Sequence, residues 1–181
     1  CGGTKPPRGN TDPRPAPALS LNRSKTYTAT VETSCGAITV ELADDERPQT
    51  VNSFVSLARS GFYDGLTFHR VKGDFVVQGG DPAGNGTGGP GYNVTEAPAA
   101  GTKYPRGTVA MAKGGVEPAG TFGSQFFFVS GAEGEALPPL YAMLGRVRDG
   151  IEVLDRVEAV PVEGERPLQT IYIVKISITE S

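Results

Sequence analysis

Cysteine and histidine are scarce in this chain: two cysteines, Cys1 and Cys35, and one histidine, His69, stand among 181 residues. A Cys/His zinc site takes four protein ligands, or three plus water, so a structural metal of that kind is excluded and no cofactor is expected. No run of about 18 apolar residues occurs, which excludes a bilayer-spanning helix. An excess of positive charge is lacking too, since 17 Lys+Arg against 20 Asp+Glu leave a net charge of -3. Duplex-binding proteins need clustered cations to displace counterions from phosphates, so nucleic acid is not an expected partner. No internal repeat and no coiled-coil heptad is present. The length fits one domain with a hydrophobic core, plus a tail.

What charge there is lies unevenly. Residues 1–26 hold five Lys/Arg and one Asp, while residues 27–181 hold twelve basic and nineteen acidic side chains. The first stretch is also rich in Pro and Gly, with few large apolar side chains to offset the entropy of ordering it. Residues 1–25 are therefore expected to be a flexible tether with a coil-like reach of about 25–30 Å, and residues 26–181 the folded domain. Cys1, followed by small residues and a Pro-rich stretch, resembles the start of a bacterial lipoprotein after signal-peptide removal, the lipid being carried on the Cys1 thiol. A boundary that falls at a cysteine by chance is the bland alternative. The resemblance implies an extracytoplasmic protein anchored to the cell membrane. With Cys1 acylated, Cys35 would have no disulfide partner. Its setting, Thr33-Ser34-Cys35-Gly36, reads as a hairpin turn bearing an inert, exposed thiol.

The body consists mostly of short β-branched and aromatic runs, at 27–33, 37–42, 66–71, 75–78, 108–111, 126–129, 143–147 and 171–178. Gly, Pro and Asp clusters separate most of them, as in a sandwich or barrel. In the last run Ile171, Ile173, Lys175 and Ser177 alternate with Tyr172, Val174, Ile176 and Ile178, giving two faces. Two segments read as helices. Residues 48–60 place Val51, Phe54, Val55 and Ala58 on one face, with Pro48 suited to the first turn and Gly61 to the stop. Residues 150–157 bring Ile151, Leu154 and Val157 together, with Asp149 placed to cap free N–H groups.

Two motifs point toward other chemistries and fail on context. Gly86-Thr87-Gly88-Gly89-Pro90-Gly91 satisfies G-x-G-x-x-G, yet no helix follows to receive a pyrophosphate, so a tight surface loop is the better reading. His69, Asp81 and Ser124 occur in the order of a hydrolytic triad, but Ser124 lacks a nucleophile turn and a lone histidine beside a strand is more often structural. The informative block is Phe68-His69-Arg70-Val71-Lys72-Gly73-Asp74-Phe75-Val76-Val77-Gln78-Gly79-Gly80-Asp81. An arginine on a barrel strand needs partners or an open surface. Phe126 and Phe128 read as core.

These residues resemble the cyclophilin family of peptidyl-prolyl cis/trans isomerases. The resemblance is carried by Phe68-His69-Arg70, the phenylalanine five residues after the arginine, Gln78-Gly79-Gly80-Asp81, Gly86-Thr87-Gly88-Gly89 and Gly123-Ser124-Gln125-Phe126-Phe127, in the family's order. It spans about residues 27–178. It implies a mainly β fold: a closed eight-stranded antiparallel β-barrel capped by two short helices. It also implies a monomeric enzyme that rotates X-Pro bonds in peptides and in unfolded or extracytoplasmic proteins. By position the resemblance assigns catalysis to Arg70, Phe75 and Gln78, and substrate contact to Val76, Ala112, Lys113, Phe127, Leu137 and Tyr141. Three departures stand out: Gly73-Asp74 replaces the usual Pro-Gly, the loop 114–123 is longer than in familiar animal members, and Ala136 stands where the rim tryptophan binds cyclosporin. Weak or no cyclosporin binding is therefore expected. A non-catalytic module that holds proline-containing peptides in the same groove is the rival reading.

Overall fold

The computed structural model describes all 181 residues. Eight strands build the main sheet: β1 (Tyr27–Thr33), β2 (Gly36–Leu42), β3 (Phe68–Lys72), β4 (Val76–Gly79), β6 (Thr108–Met111), β8 (Phe126–Val129), β9 (Met143–Asp149) and β12 (Ile173–Glu180). Each of the eight apolar runs supplies one of them. The strands missed are two-residue pieces: β5 (Val94–Thr95) with β7 (Thr121–Phe122), and β10 (Val162–Glu163) with β11 (Arg166–Pro167). Runs that short carry no periodicity to read.

The sheet is antiparallel in the order β12-β1-β2-β9-β6-β8-β4-β3, and it is open rather than the closed barrel expected. Its two edges meet in a single bridge between Thr67 and Tyr172, just before β3 and β12 begin. Phe68 N–H donates there to Ile171 O (2.9 Å) and Ile173 N–H to Leu66 O (2.8 Å). No ladder continues, because the β10–β11 hairpin lies along the rest of β3, and Val71 N–H donates to Glu165 O (2.7 Å). Pro167 in β11 has no N–H to give, so the hairpin ends the sheet rather than extending it.

Helix α1 (Pro48–Arg59) closes one end, with Val51, Phe54, Val55 and Ala58 buried as their spacing predicts. Gly61, at φ 70°, turns the chain out of the helix and donates its N–H to Ala58 O. The second expected helix, α3, runs Glu152–Glu158 instead of starting at residue 150, and its N-cap is Ile151. Asp149 makes no cap bond, being the last residue of β9. A third helix, α2 (Ala132–Glu135), was not legible, since four residues cannot show a helical period.

The core divides in two. Thirty-two buried residues fill the space between sheet and helices. Among them Phe54, Tyr63, Phe68, Phe126 and Phe128 meet in edge-to-face and tilted contacts, the ring centres 5.2 Å to 6.2 Å apart, the spacing that aromatic quadrupoles favour. A smaller cluster, Val76, Tyr104, Ala110, Phe127 and Val129, lies on the other face of β4, β6 and β8. Strand alternation separates them: Phe126 and Phe128 enter the main core and Phe127 faces the other way.

In β12 the expected faces fail. Ile171 and Ile173, placed on one face, are both buried, but the next buried residue is Ile176 from the other set, not Lys175. The register explains this: Glu32 pairs with Lys175 and Thr33 with Ile173, so Val174 is the extra residue of a bulge and the faces exchange after it.

Residues 1–26 contain no helix and no strand, yet they lie against the body rather than ranging as free coil. Gly9 N–H donates to Asp64 O (2.9 Å), Arg14 N–H to Pro90 O (2.9 Å), and Asn52 Nδ2 to Ala18 O (3.0 Å). Cys1 and Cys35 form a disulfide. This corrects the exposed, unpaired thiol expected at Cys35, which is buried in the main core cluster. In this state the Cys1 sulfur is not free to carry the lipid expected on it.

Candidate active site

The site is built on the outer face of the β3-β4-β8-β6 part of the sheet. Registers place Arg70 opposite Gln78, Gln78 opposite Phe127, and Phe127 opposite Ala110, forming one row across four strands. Residues two positions along each strand share the face, which adds Val76 on β4, Gln125 just before β8 and Ala112 just after β6.

Arg70 reaches this face through a bulge. Phe68 pairs with Gly79 and Arg70 with Gln78, so His69 is the extra residue. Phe68 and Val71 are consequently buried while Arg70 turns outward. Regular alternation would have put Phe68 and Arg70 on the same face.

The guanidinium is held from two sides. Nε donates to Glu165 Oε2 (2.5 Å) and Nη2 to Glu165 Oε1 (3.4 Å), while Nη1 donates to Gln78 Oε1 (3.2 Å). Gln78 passes the contact on, its Nε2 donating to Gln125 Oε1 (3.0 Å), and Gln125 Nε2 donates to Gly86 O (3.0 Å) and Gly88 O (2.9 Å). The glycine-rich loop is thereby tied to the site. The hydrogen bond from Arg70, with its charge, holds the Glu165 carboxyl below the usual carboxylate range.

Beside Arg70 lies a cavity of about 90 Å³ lined by Arg70, Phe75, Val76, Gln78, Ala112, Lys113, Phe127, Leu137 and Tyr141. These are the nine residues picked out by the resemblance, all brought together. Six of the nine are hydrophobic, so the cavity suits a small apolar ring. Gln78, Ala112 and Lys113 also border a larger cavity of about 340 Å³ that continues past Gln125 and the glycine-rich loop.

Two devices fix the apolar walls. Asp74, at φ 58°, accepts Ala132 N–H on Oδ1 (2.7 Å), and its carbonyl accepts Glu133 N–H (2.9 Å). This docks α2 onto the turn before Phe75 and carries Leu137 to the rim. The approach is close, since a Cβ at Gly134 would run into Phe75 O. The departure at Gly73-Asp74 thus has a local structural role. On the other side, the Tyr104 hydroxyl donates to Tyr141 O (2.7 Å) and accepts Tyr141 N–H (3.1 Å). The Tyr141 ring stands edge-on to Phe127 at 5.2 Å. Burial raises the Tyr104 pKa, which keeps the hydroxyl a donor. The Phe75 ring centre has the Lys72 ammonium at 4.7 Å and the Arg70 guanidinium at 5.5 Å, within reach of cation–π attraction.

The triad-like set has other work. Asp81 accepts N–H groups from Ala83, Asn85 and Gly86 at 2.8, 2.9 and 2.6 Å, shaping the loop. Ser124 is fully buried and donates to Gly80 O (2.8 Å), so it is no nucleophile. Burial lowers the His69 pKa, outweighing the opposing pull of Asp81.

Three residues of this arrangement were missed. Gln125 was signalled by its position two residues before Phe127. Tyr104 and Glu165 had no local signal, Glu165 lying 95 positions from the arginine it binds.

Residues 28–178 match the family model described as cyclophilin type peptidyl-prolyl cis-trans isomerase/CLD. A peptidyl-prolyl cis-trans isomerase of Helicobacter pylori is 43% identical over 143 residues, 75% of this chain and 82% of that one. A probable peptidyl-prolyl cis-trans isomerase B of Mycobacterium tuberculosis is 43% identical over 148 residues, 73% of this chain and 46% of that one. Among solved structures, a cyclophilin type isomerase of Cryptosporidium parvum, crystallised in the presence of the dipeptide Ala-Pro, superposes with a TM-score of 0.77 at 32% identity. It covers 84% of this chain and 98% of its own.

Proposed function

The chain belongs to the cyclophilin-type peptidyl-prolyl cis/trans isomerases, and from that premise we propose that it turns X-Pro bonds at the Arg70 face, with the proline ring in the cavity beside it. The observation that carries this reading is the row Arg70–Gln78–Phe127–Ala110, which sets a fixed cation directly beside a small apolar cavity.

A planar amide is stabilised by delocalising the nitrogen lone pair, giving a rotation barrier of about 18–20 kcal/mol. Twisting localises that pair on nitrogen. A guanidinium N–H aimed at the nitrogen therefore binds the twisted imide better than the planar one, as catalysis requires. Arg70 supplies the donor and Gln78 keeps it in place. Phe75, Val76, Phe127 and Leu137 grip the pyrrolidine ring, Tyr141 closes the aromatic rim, and Ala112 with Lys113 hold the residue before proline while its carbonyl rotates. No covalent intermediate and no cofactor enters. An acceleration on the order of 10⁵ needs about 7 kcal/mol from donor, clamp and pocket together.

The substrates are proline-containing peptides and unfolded proteins, and the chain acts as a monomer. The Ala-Pro dipeptide used with the Cryptosporidium relative is the natural probe. Titrated into ¹⁵N-labelled protein, it is expected to shift the amides of Ala112, Lys113 and Phe127; shifts confined to other parts of the chain would overturn the placement. Ala136 leaves no tryptophan at the rim, so cyclosporin is expected to bind weakly, and a nanomolar dissociation constant by calorimetry would contradict the alignment.

The location we assign is extracytoplasmic, at a bacterial cell membrane. The Cys1–Cys35 disulfide supports the first part, since such bonds persist where thiols are not kept reduced. Acylation of Cys1, the route to a lipoprotein, consumes the same sulfur, so any one molecule is either cross-linked or anchored. Intact mass of protein recovered from membranes separates the two, and a reduced, unmodified Cys1 would oppose both.

A further inference from the structure

Arg70 has five N–H donors, of which three are engaged, two by Glu165 and one by Gln78. The carboxylate takes the Nε edge, leaving one N–H on each terminal nitrogen for a substrate. Glu165 is itself fixed by its backbone, for its carbonyl accepts Val71 N–H from β3. The hairpin's attachment to β3 thus has a backbone bond of its own, and the carboxylate is free to serve the arginine.

We propose that Glu165 is a positioning residue for the isomerisation, holding the Arg70 guanidinium by its Nε edge so that the terminal N–H groups point at the rotating bond. This rests on the assignment of Arg70 as the group that acts on that bond. Two effects of the carboxylate oppose each other. It removes rotamer freedom from a long, flexible side chain, which raises the fraction of arginines in the productive pose. It also sets a negative charge near the guanidinium, which weakens the field at the imide nitrogen. The Glu165 side chain is 43% exposed, so water screens its longer-range field, whereas the orienting hydrogen bonds act at contact. Orientation prevails.

The test measures kcat and KM by NMR exchange on one X-Pro peptide for wild type, Glu165→Gln, Glu165→Ala, Arg70→Ala and the Arg70→Ala/Glu165→Ala double variant, each checked for folding by thermal melting. Glu165→Ala is expected to lower kcat about five- to tenfold with KM within about twofold, the isosteric Glu165→Gln losing less. In the Arg70→Ala background the second substitution is expected to change nothing beyond about twofold. The ¹⁵N resonance of Arg70 Nε–H, shielded from solvent exchange in the wild type, is expected to broaden in Glu165→Ala. Equal losses in both backgrounds would assign Glu165 to the fold or the substrate and overturn the proposal. An unchanged or faster kcat in Glu165→Ala would overturn it as well, with the role of Arg70 intact. Wild-type kcat in Arg70→Ala would remove the role of Arg70 and this inference with it. If Glu165→Ala does not fold, Glu165→Gln carries the same comparison.

Discussion

Arg70→Ala is expected to separate activity from stability. In the folded state Arg70 makes an ion pair with Glu165 in which the side chains are 35% and 43% exposed. Pairs so open to water contribute about 0.2–1 kcal/mol. The cation near Phe75 adds about 0.5 kcal/mol at an exposed site. With the hydrogen bond to Gln78, worth about 0.5–1.5 kcal/mol net, the whole loss is about 2 kcal/mol, which in a chain of this length lowers Tm by about 4–8 °C. The catalytic loss has a different scale. A single preorganised donor removed from a developing charge costs about 10²–10³ in rate, or about 2.7–4 kcal/mol. Exchange NMR on an X-Pro peptide reads this directly, because uncatalysed exchange takes tens of seconds or longer. Arg70→Lys is expected to behave like the alanine variant, since lysine keeps the charge but not the planar fork that Glu165 and Gln78 hold. A folded Arg70→Ala retaining activity within about threefold of wild type would refute the mechanism. Folded wild type that leaves the exchange rate unchanged would return the groove to a purely binding role.

Three further outcomes test the supporting structure. Asp74→Ala loses the acceptor for Ala132 N–H and leaves alanine at a positive φ. Its expected cost in urea unfolding is about 1–2 kcal/mol, whereas Asp74→Asn keeps both acceptor and backbone tolerance and stays within about 0.5 kcal/mol of wild type; an alanine variant as stable as wild type would dismiss the clamp. Because burial holds the His69 pKa below its ordinary 6.5, the unfolded chain takes up the proton first as pH falls. This contribution to stability is therefore complete above pH 6.5 and declines below it. His69→Gln should flatten the Tm profile from about pH 5 to about pH 7, and an unaltered slope would reject this source. Reducing the Cys1–Cys35 bond opens a loop with a sequence separation of 34, for which chain entropy alone sets a ceiling of about 3.8 kcal/mol. Partial release of the tail in the native state offsets part of it, so a loss of about 1–2 kcal/mol is expected in denaturant titrations, and one at the ceiling would mean that the tail stays ordered without the bond.

The sheet was legible because its strands are long enough to carry a signal. Every apolar run of four to eight residues became a strand of the main sheet, and the α1 face Val51–Phe54–Val55–Ala58 was read from spacing alone. Bulges were not legible. Phe68-His69-Arg70-Val71-Lys72 and the run from Ile171 to Ile178 each permit regular alternation, and nothing in their residue types marks His69 or Val174 as the extra residue. Their partners decide it, Gly79 and Gln78 in one case, Thr33 and Glu32 in the other. These two bulges fall on the edge strands β3 and β12, and two further register shifts fall on the interior strand β9, at Arg148 against β2 and at Leu144 against β6.

The nine site residues were found by a resemblance rather than by periodicity, and geometry explains why they belong together: two strand blocks, 70–78 and 110–127, lie across one another in register and bring seven of them, while the docking of α2 on Asp74 and the Tyr104 hydroxyl add Leu137 and Tyr141. Glu165 escaped for the same reason that closure of the barrel was expected. Both depend on what occupies the free edge of β3. A β12 ladder continued along β3 would have closed the sheet and left no place for residues 162–167. The hairpin there ends the sheet and puts the Glu165 carbonyl on Val71 and its carboxylate on Arg70. The open edge is therefore coupled to the chemistry, for the segment that blocks strand pairing is also the one that delivers the partner of the site's cation.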